Sequence, residues 1–401
     1  MRKYLFRRAV FGIAGAIDRA FVAGAVTPRR HARKNSTEAL GPQERLQGLS
    51  IVEAFYGDPT WLEPDSGFFP QSAPIVPRVQ RARRLGSSGE VLDLTWESEF
   101  HTLWTTDRVR ARLSGARHPT ALSDAAIDET IEGLERVAGT HGEFDSRYRA
   151  IGGNRVAYAR HYRHLTGPRP AVVLLHGFMG GFLPLEAHVL QAERFYRGGM
   201  DVILTVLPLH GPRRERGRGL VPPRFPGADP RFTVEGFRQL VFDHEALFDY
   251  LLDGRVLSLG IGGMSLGAYS SALLATLDAR LTFALFQMPL ACIADFAQSS
   301  GRLVGTTEDQ AAQAAALKRV QHPISPLARR SRLPAERVHV VSGAADHVTG
   351  PEQARLLAEH FGATNTSFAG GHLFQFERHR ALRPFFDMIA QAGLWSGKGA
   401  N

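Results

Sequence analysis

Residues 255–277 read RVLSLGIGGMSLGAYSSALLATL. The first seven, Arg255–Ile261, form a short apolar run of the strand type, and the stretch from Ala268 onward is rich in Ala and Leu, as a helix requires. Between them stands Gly263-Met264-Ser265-Leu266-Gly267, a G-x-S-x-G string. The string alone is weak, and its place between a strand and a helix gives it meaning. A turn so tight holds the serine hydroxyl clear of the sheet, at a helix start whose dipole favours developing negative charge. Glycine tolerates the crowding on either side of the serine. Ser265 is therefore the candidate nucleophile, and a Gly-Ser turn without reactivity is the plain alternative.

Short apolar runs recur on both sides of this turn: Ala171–Leu175 (AVVLL), Asp201–Leu207 (DVILTVL), Leu281–Phe286 (LTFALF) and Val338–Val341 (VHVV). Arg155–Tyr162 (RVAYARHY) alternates like an exposed or edge strand, and Thr364–Phe368 suits a short one. Helix-like stretches separate them, notably Val234–Leu252 and Ala268–Leu277. The pattern predicts an α/β protein with a mostly parallel central sheet and helices on both faces. Chemistry in such sheets sits in loops at the carboxyl ends of the strands.

A serine needs a base. Among 16 histidines, His372 stands out, because Ala369-Gly370-Gly371 before it lets a loop carry the ring over the sheet edge. It also follows the serine in the order Ser, acid, His. Asp346, in Ser342-Gly343-Ala344-Ala345-Asp346-His347, lies just beyond Val338–Val341 and suits the acid that orients the imidazole. Asp295 is the reserve. Directly after AVVLL comes His176-Gly177-Phe178-Met179-Gly180-Gly181. Acyl transfer needs two backbone N–H groups aimed at an oxyanion. Leu266 would supply one and Phe178, or else Met179, the other, with His176 shaping the turn.

Together these elements resemble the α/β-hydrolase superfamily, with HGFMGG as oxyanion loop, GMSLG as nucleophile elbow, SGAADHV as acid loop and GGH as histidine loop. The resemblance covers about residues 147–393. It implies Ser265 as nucleophile, Asp346 as acid, His372 as base, and Phe178 and Leu266 as oxyanion donors, with no cofactor and no metal. The expected activity is hydrolysis of a carboxylic ester on a small molecule or lipid. A serine peptidase or amidase of the same fold, or a non-catalytic binding protein on that scaffold, remain as alternatives. Two insertions would shape the substrate. One is the Arg-rich stretch 210–231, carrying Arg213, Arg214, Arg216, Arg218 and Arg224, which would bind an anionic group, form a solvated surface loop or be paired with carboxylates elsewhere. The other is a lid at 293–332.

The composition excludes other classes. With 401 residues, 44% hydrophobic and 22% charged, the chain is neither disordered nor coiled coil. Its single cysteine, Cys292, excludes an internal disulfide. The net charge of +9 invites a nucleic-acid reading, but residues 1–34 hold nine basic residues against Asp18 alone, leaving the rest nearly neutral. No recognition motif accompanies them, and nucleic acid is not an expected partner. Residues 1–40 read as a basic amphipathic segment and linker, and 41–146 as an extension packed on a hydrolase body at 147–395. Helical spacing puts Lys3, Arg7, Arg8, Asp18 and Arg19 on one side and Phe6, Ala9, Val10, Ile13, Ala16, Ile17 and Ala20 on the other. Three readings follow: peripheral contact with an anionic membrane surface through residues 1–34, packing of the apolar stripe on the protein's own core, or a cleaved signal. A cytoplasmic location, with or without membrane association, is the expectation, and Asp18-Arg19 interrupt the run too early for a membrane span.

Overall fold

A computed structural model describes residues 12–20, 40–114, 143–217 and 222–396, with part of 123–132. Nine strands form one sheet: β1 (Arg78–Leu85), β2 (Gly89–Glu97), β3 (Val156–His164), β4 (Pro170–Leu175), β5 (Asp201–Thr205), β6 (Ser258–Met264), β7 (Leu281–Gln287), β8 (Val338–Gly343) and β9 (Thr364–Phe368). Their order is β1-β2-β3-β5-β4-β6-β7-β8-β9. The pairs from β1 to β5 along this edge are antiparallel, and every pair from β5 to β9 is parallel. The predicted α/β sheet covered on both faces is thus the fold of this chain.

The continuous apolar runs reflect burial on both sides. In β4 and β5, Ala171, Val173, Leu175 and Ile203 enter one core, while Val172, Leu174, Val202 and Leu204 enter the core on the opposite face. Alternating residues go to opposite faces because successive Cβ atoms do. Each predicted strand has its counterpart. Arg155–Tyr162, read as an exposed or edge strand, is however β3 inside the sheet, paired with β2 and β5 because the chain before residue 147 adds two strands beyond it. The helix Pro230–Leu252 begins four residues before the expected Val234.

The sheet also extends across residue 147 into the segment read as an extension. β1 (RVQRARRL) carries four arginines and is exposed almost throughout. An edge strand so charged resists pairing with other chains, and it leaves no apolar alternation to detect. Residues 27–48 are polar, as in a linker, and 50–77 are rich in aromatics and prolines, as in irregular chain, yet the helix Pro42–Tyr56 runs through both. Its buried residues, Val52, Phe55 and Tyr56, lie in the last two turns, so no apolar stripe runs its length. The aromatics beyond it pack together, with Phe55 meeting Trp61 and Trp104 edge-on. They close over Glu235 of the helix Pro230–Leu252, which accepts from the Tyr56 hydroxyl and from the N–H groups of Leu103 and Trp104. The sequence also reads as a helix from an N-cap at Ser123 to about Val137, and that stretch falls largely outside the described residues.

Residues 293–332, the expected lid, form the helices Ile293–Ser299 and Thr307–Val320 and short turns between β7 and β8. The second of these helices is tied to Pro42–Tyr56 by Arg319 and Glu53, 2.5 Å apart. Among the described residues, no helix is long and apolar enough to cross a membrane.

Candidate active site

Ser265 sits at the joint between β6 and the helix Leu266–Leu277, with φ 59° and ψ −119°. A non-glycine residue in that region is strained by roughly 1–3 kcal/mol, and the surroundings must enforce it. They do so through close packing. A Cβ on Gly267 would lie 2.1 Å from the Leu175 carbonyl oxygen, and one on Gly263 would lie 2.4 Å from the Gly267 carbonyl. The Ser265 N–H donates to the Gln287 carbonyl at 2.9 Å. Gly267→Ala is accordingly expected to lower unfolding stability by about 1–3 kcal/mol through overpacking, as read by urea melts. Unchanged stability would mean that the turn is looser than its contacts imply.

The loop after β4 lies against this joint. A Cβ on Gly177 would stand 3.5 Å from both the Ser265 Cβ and the Met264 carbonyl oxygen. The loop turns tightly, with the Gly180 N–H on the Gly177 carbonyl and Met179 at φ 65°. His176 anchors it. Its Nδ1 donates to the Gly177 carbonyl at 2.7 Å, and its Nε2 accepts from the Leu207 N–H at 3.1 Å. Burial pushes its pKa down to about 4, so the ring is neutral and occupied. Glu186 holds the other end by accepting the Gly181 N–H at 3.0 Å. Nothing in the sequence pointed to Glu186, because a lone acidic residue in a helical stretch reads as solvated. Among the described residues, the N–H groups of Phe178 and Leu266 have no acceptor within the fold.

Asp346 and His372 are brought together. The His372 Nδ1 lies 2.8 Å from Asp346 Oδ2, and both side chains are buried. Asp346 also accepts from the N–H groups of Val348 and Thr349 through Oδ1 and from the Thr349 hydroxyl through Oδ2. Burial works to raise its pKa, yet His372 and these hydrogen bonds hold it below the usual carboxylate value. For His372, burial favours the neutral ring, but the Asp346 carboxylate outweighs it and raises the pKa. With Nδ1 engaged, Nε2 is the nitrogen left to act as a base. The amide of Gln375 ties the histidine loop to the elbow, reaching the His372 carbonyl at 2.8 Å and the Met264 sulfur at 3.2 Å.

The reserve acid, Asp295, is engaged elsewhere, 2.6 Å from Lys318. The Arg-rich stretch is less free than its composition suggested. Arg213 is buried against Asp243 at 2.7 Å, and Arg224 pairs with Glu215 at 3.0 Å. Arg218 lies outside the described residues. Among the described residues, no group of three or more His, Cys, Asp or Glu side chains is placed to hold a metal ion.

The N-terminal helix is turned otherwise than its sequence suggested. Over residues 12–20, Asp18 is fully buried, while Ile13 and Ile17 of the apolar stripe are exposed. The stripe therefore does not pack on the core in this stretch, because three backbone N–H groups near the proposed site claim the carboxylate instead.

A parallel sheet with an antiparallel edge, whose β6 ends in a strained serine and whose β8 and β9 end in an acid–histidine pair, defines a protein of the α/β-hydrolase fold. More particularly, the chain belongs to the family of the uncharacterized protein Rv2627c of Mycobacterium tuberculosis (strain ATCC 25618 / H37Rv). The two are 30% identical over 366 residues, covering 88% of this chain and 75% of that protein. The same figures hold for the uncharacterized protein MT2702 of strain CDC 1551 / Oshkosh. No protein-family model matches. Among solved structures, the chain is similar to an acetyl xylan esterase from Paenibacillus sp. R4, at 15% identity and a TM-score of 0.47 over 79% of this chain and 89% of that one. It is also similar to acetyl xylan esterase 1 from Thermoanaerobacterium sp. JW/SL YS485, at 14% identity and a TM-score of 0.47 over 86% and 97% of the two chains.

Proposed function

We propose that this protein is a serine hydrolase that cleaves a carboxylic ester through an acyl-enzyme on Ser265. The observation that carries this reading is the strained Ser265 at the end of β6, with a buried Asp346–His372 pair on the neighbouring loops. In this mechanism, His372 Nε2 takes the hydroxyl proton as Ser265 Oγ attacks the ester carbonyl. The N–H groups of Phe178 and Leu266 receive the oxyanion, which is the largest single contribution expected. Asp346 stabilises the imidazolium that forms. His372 then protonates the leaving alcohol, and the same base activates the water that releases the acid. Every step uses groups of the chain itself.

The rim of the site favours an apolar ester. Met179, Phe182 and Leu185 on the loop and helix after β4, Leu373 and Phe374 after His372, and Ile13 and Ile17 on the N-terminal helix are exposed by 40–68%. Exposed apolar side chains on the elements that bear the proposed site suit an apolar substrate. With the basic residues 2, 3, 7 and 8 ahead of the helix, they suit a lipid ester met at an anionic surface.

A panel of soluble short-chain aryl esters, long-chain esters in anionic vesicles and peptide amides tests the reading. The expected result is ester hydrolysis that rises with chain length and vesicle charge. Preference for amides would replace esterase with peptidase, and loss of all turnover in a folded sample would leave a binding protein.

A further inference from the structure

One contact joins the N-terminal helix to the loops of the proposed acid and base. Asp18, in the helical residues 12–20, sends its carboxylate into the loops that carry Asp346 and His372. Its Oδ2 accepts from the backbone N–H of His372 at 2.7 Å and from that of His347 at 3.1 Å, and its Oδ1 accepts from Leu373 at 3.0 Å. Each donor is at or beside a proposed triad residue. Two glycines permit the approach: a Cβ on Gly371 would fall 2.5 Å from Asp18 Oδ2, and one on Gly15 would fall 2.7 Å from His347 Nε2. Next door, Arg19 Nη1 lies 3.0 Å from His347 Nε2.

We propose that Asp18 is a positioning residue for His372, so that the N-terminal helix is a working part of the active site. This rests on the hydrolase reading above. Hydrogen bonds from N–H to carboxylate are charge-assisted, and three of them on one buried group fix the backbone of the histidine loop in place. A misplacement of about 1 Å at a catalytic group costs up to about 100-fold in rate, so the fixing has a kinetic value. The carboxylate also acts on the ring through its charge. Of the charged groups recorded around His372, Asp346 favours the imidazolium most and Asp18 adds to it, while Arg19 is held against His347. A basic, membrane-suited segment is thereby keyed to the catalytic base through one side chain.

The test uses the full chain with Asp18→Asn, Asp18→Ala and, as a control on the exposed side of the same helix, Ala20→Ser. Turnover of a soluble aryl ester is measured against pH, and the His372 ring is titrated by NMR with His372→Gln for assignment. Loss of the anion is expected to lower kcat by about 10- to 100-fold with KM within about twofold. The acid limb of kcat/KM and the His372 titration should both move to lower pH, because a charge that favours the imidazolium is gone. Ala20→Ser should keep wild-type values. A loss of activity that only follows the folded fraction, with the His372 titration unmoved, would overturn the proposal. Wild type that neither hydrolyses esters nor reacts with a fluorophosphonate would overturn the hydrolase reading instead. The NMR titration of Asp18→Asn would still show whether Asp18 acts on His372.

Discussion

Ser265→Ala is expected to lower kcat/KM on an activated ester by roughly 10⁴- to 10⁶-fold while the protein stays folded. The size of the loss follows from the chemistry. Without the hydroxyl there is no acyl-enzyme, and the histidine and acid have no nucleophile to serve, so the three act as one unit. Alanine keeps the Cβ that packs beside Gly177 and the N–H that donates to the Gln287 carbonyl, so the fold is spared. The measurement is a steady-state assay paired with a thermal melt. Near wild-type turnover in the variant would remove Ser265 from the mechanism.

Asp346→Asn carries the second large effect, a fall of about 10⁴-fold in kcat. The amide nitrogen would enter the network that now accepts the His372 Nδ1 proton and the Thr349 hydroxyl, favouring the wrong tautomer of the ring. The pH dependence should change as well. Catalysis needs neutral His372, whose pKa in the wild type lies above its ordinary 6.5 because Asp346 outweighs burial. Activity should therefore rise as pH climbs through that raised value. In the variant, burial acts without the carboxylate, and the residual activity should begin at lower pH. A full pH–rate profile of both proteins checks the sign, and a profile displaced upward would assign the acid role elsewhere.

Much of the sheet and the proposed site was legible because each part has a local cause. AVVLL and LTFALF are buried on both faces, so they show as unbroken apolar runs, and GMSLG shows because the turn admits only small flanking residues. What stayed hidden depends on partners far away in sequence. β1 has no apolar alternation, since it is an exposed arginine-bearing edge. Arg213 could have been solvated, ligand-binding or paired, and only the fold shows it buried against Asp243. Asp18 is the sharpest case. In its own helix it belongs with the basic residues, and no periodicity within residues 1–34 reveals donors more than 300 positions away. Gln375 and Glu186 were silent for the same reason, because each acts through backbone groups that any residue possesses.

In the proposed mechanism Ser265 is a nucleophile activated by Asp346 and His372. The most direct measurement treats the folded full chain with a fluorophosphonate and locates the adduct by peptide mass spectrometry. The predicted result is one adduct on the peptide that contains Ser265, abolished in Ser265→Ala and slowed in Asp346→Asn. Labelling that persists in Ser265→Ala, or a folded wild type that takes no label, would contradict it.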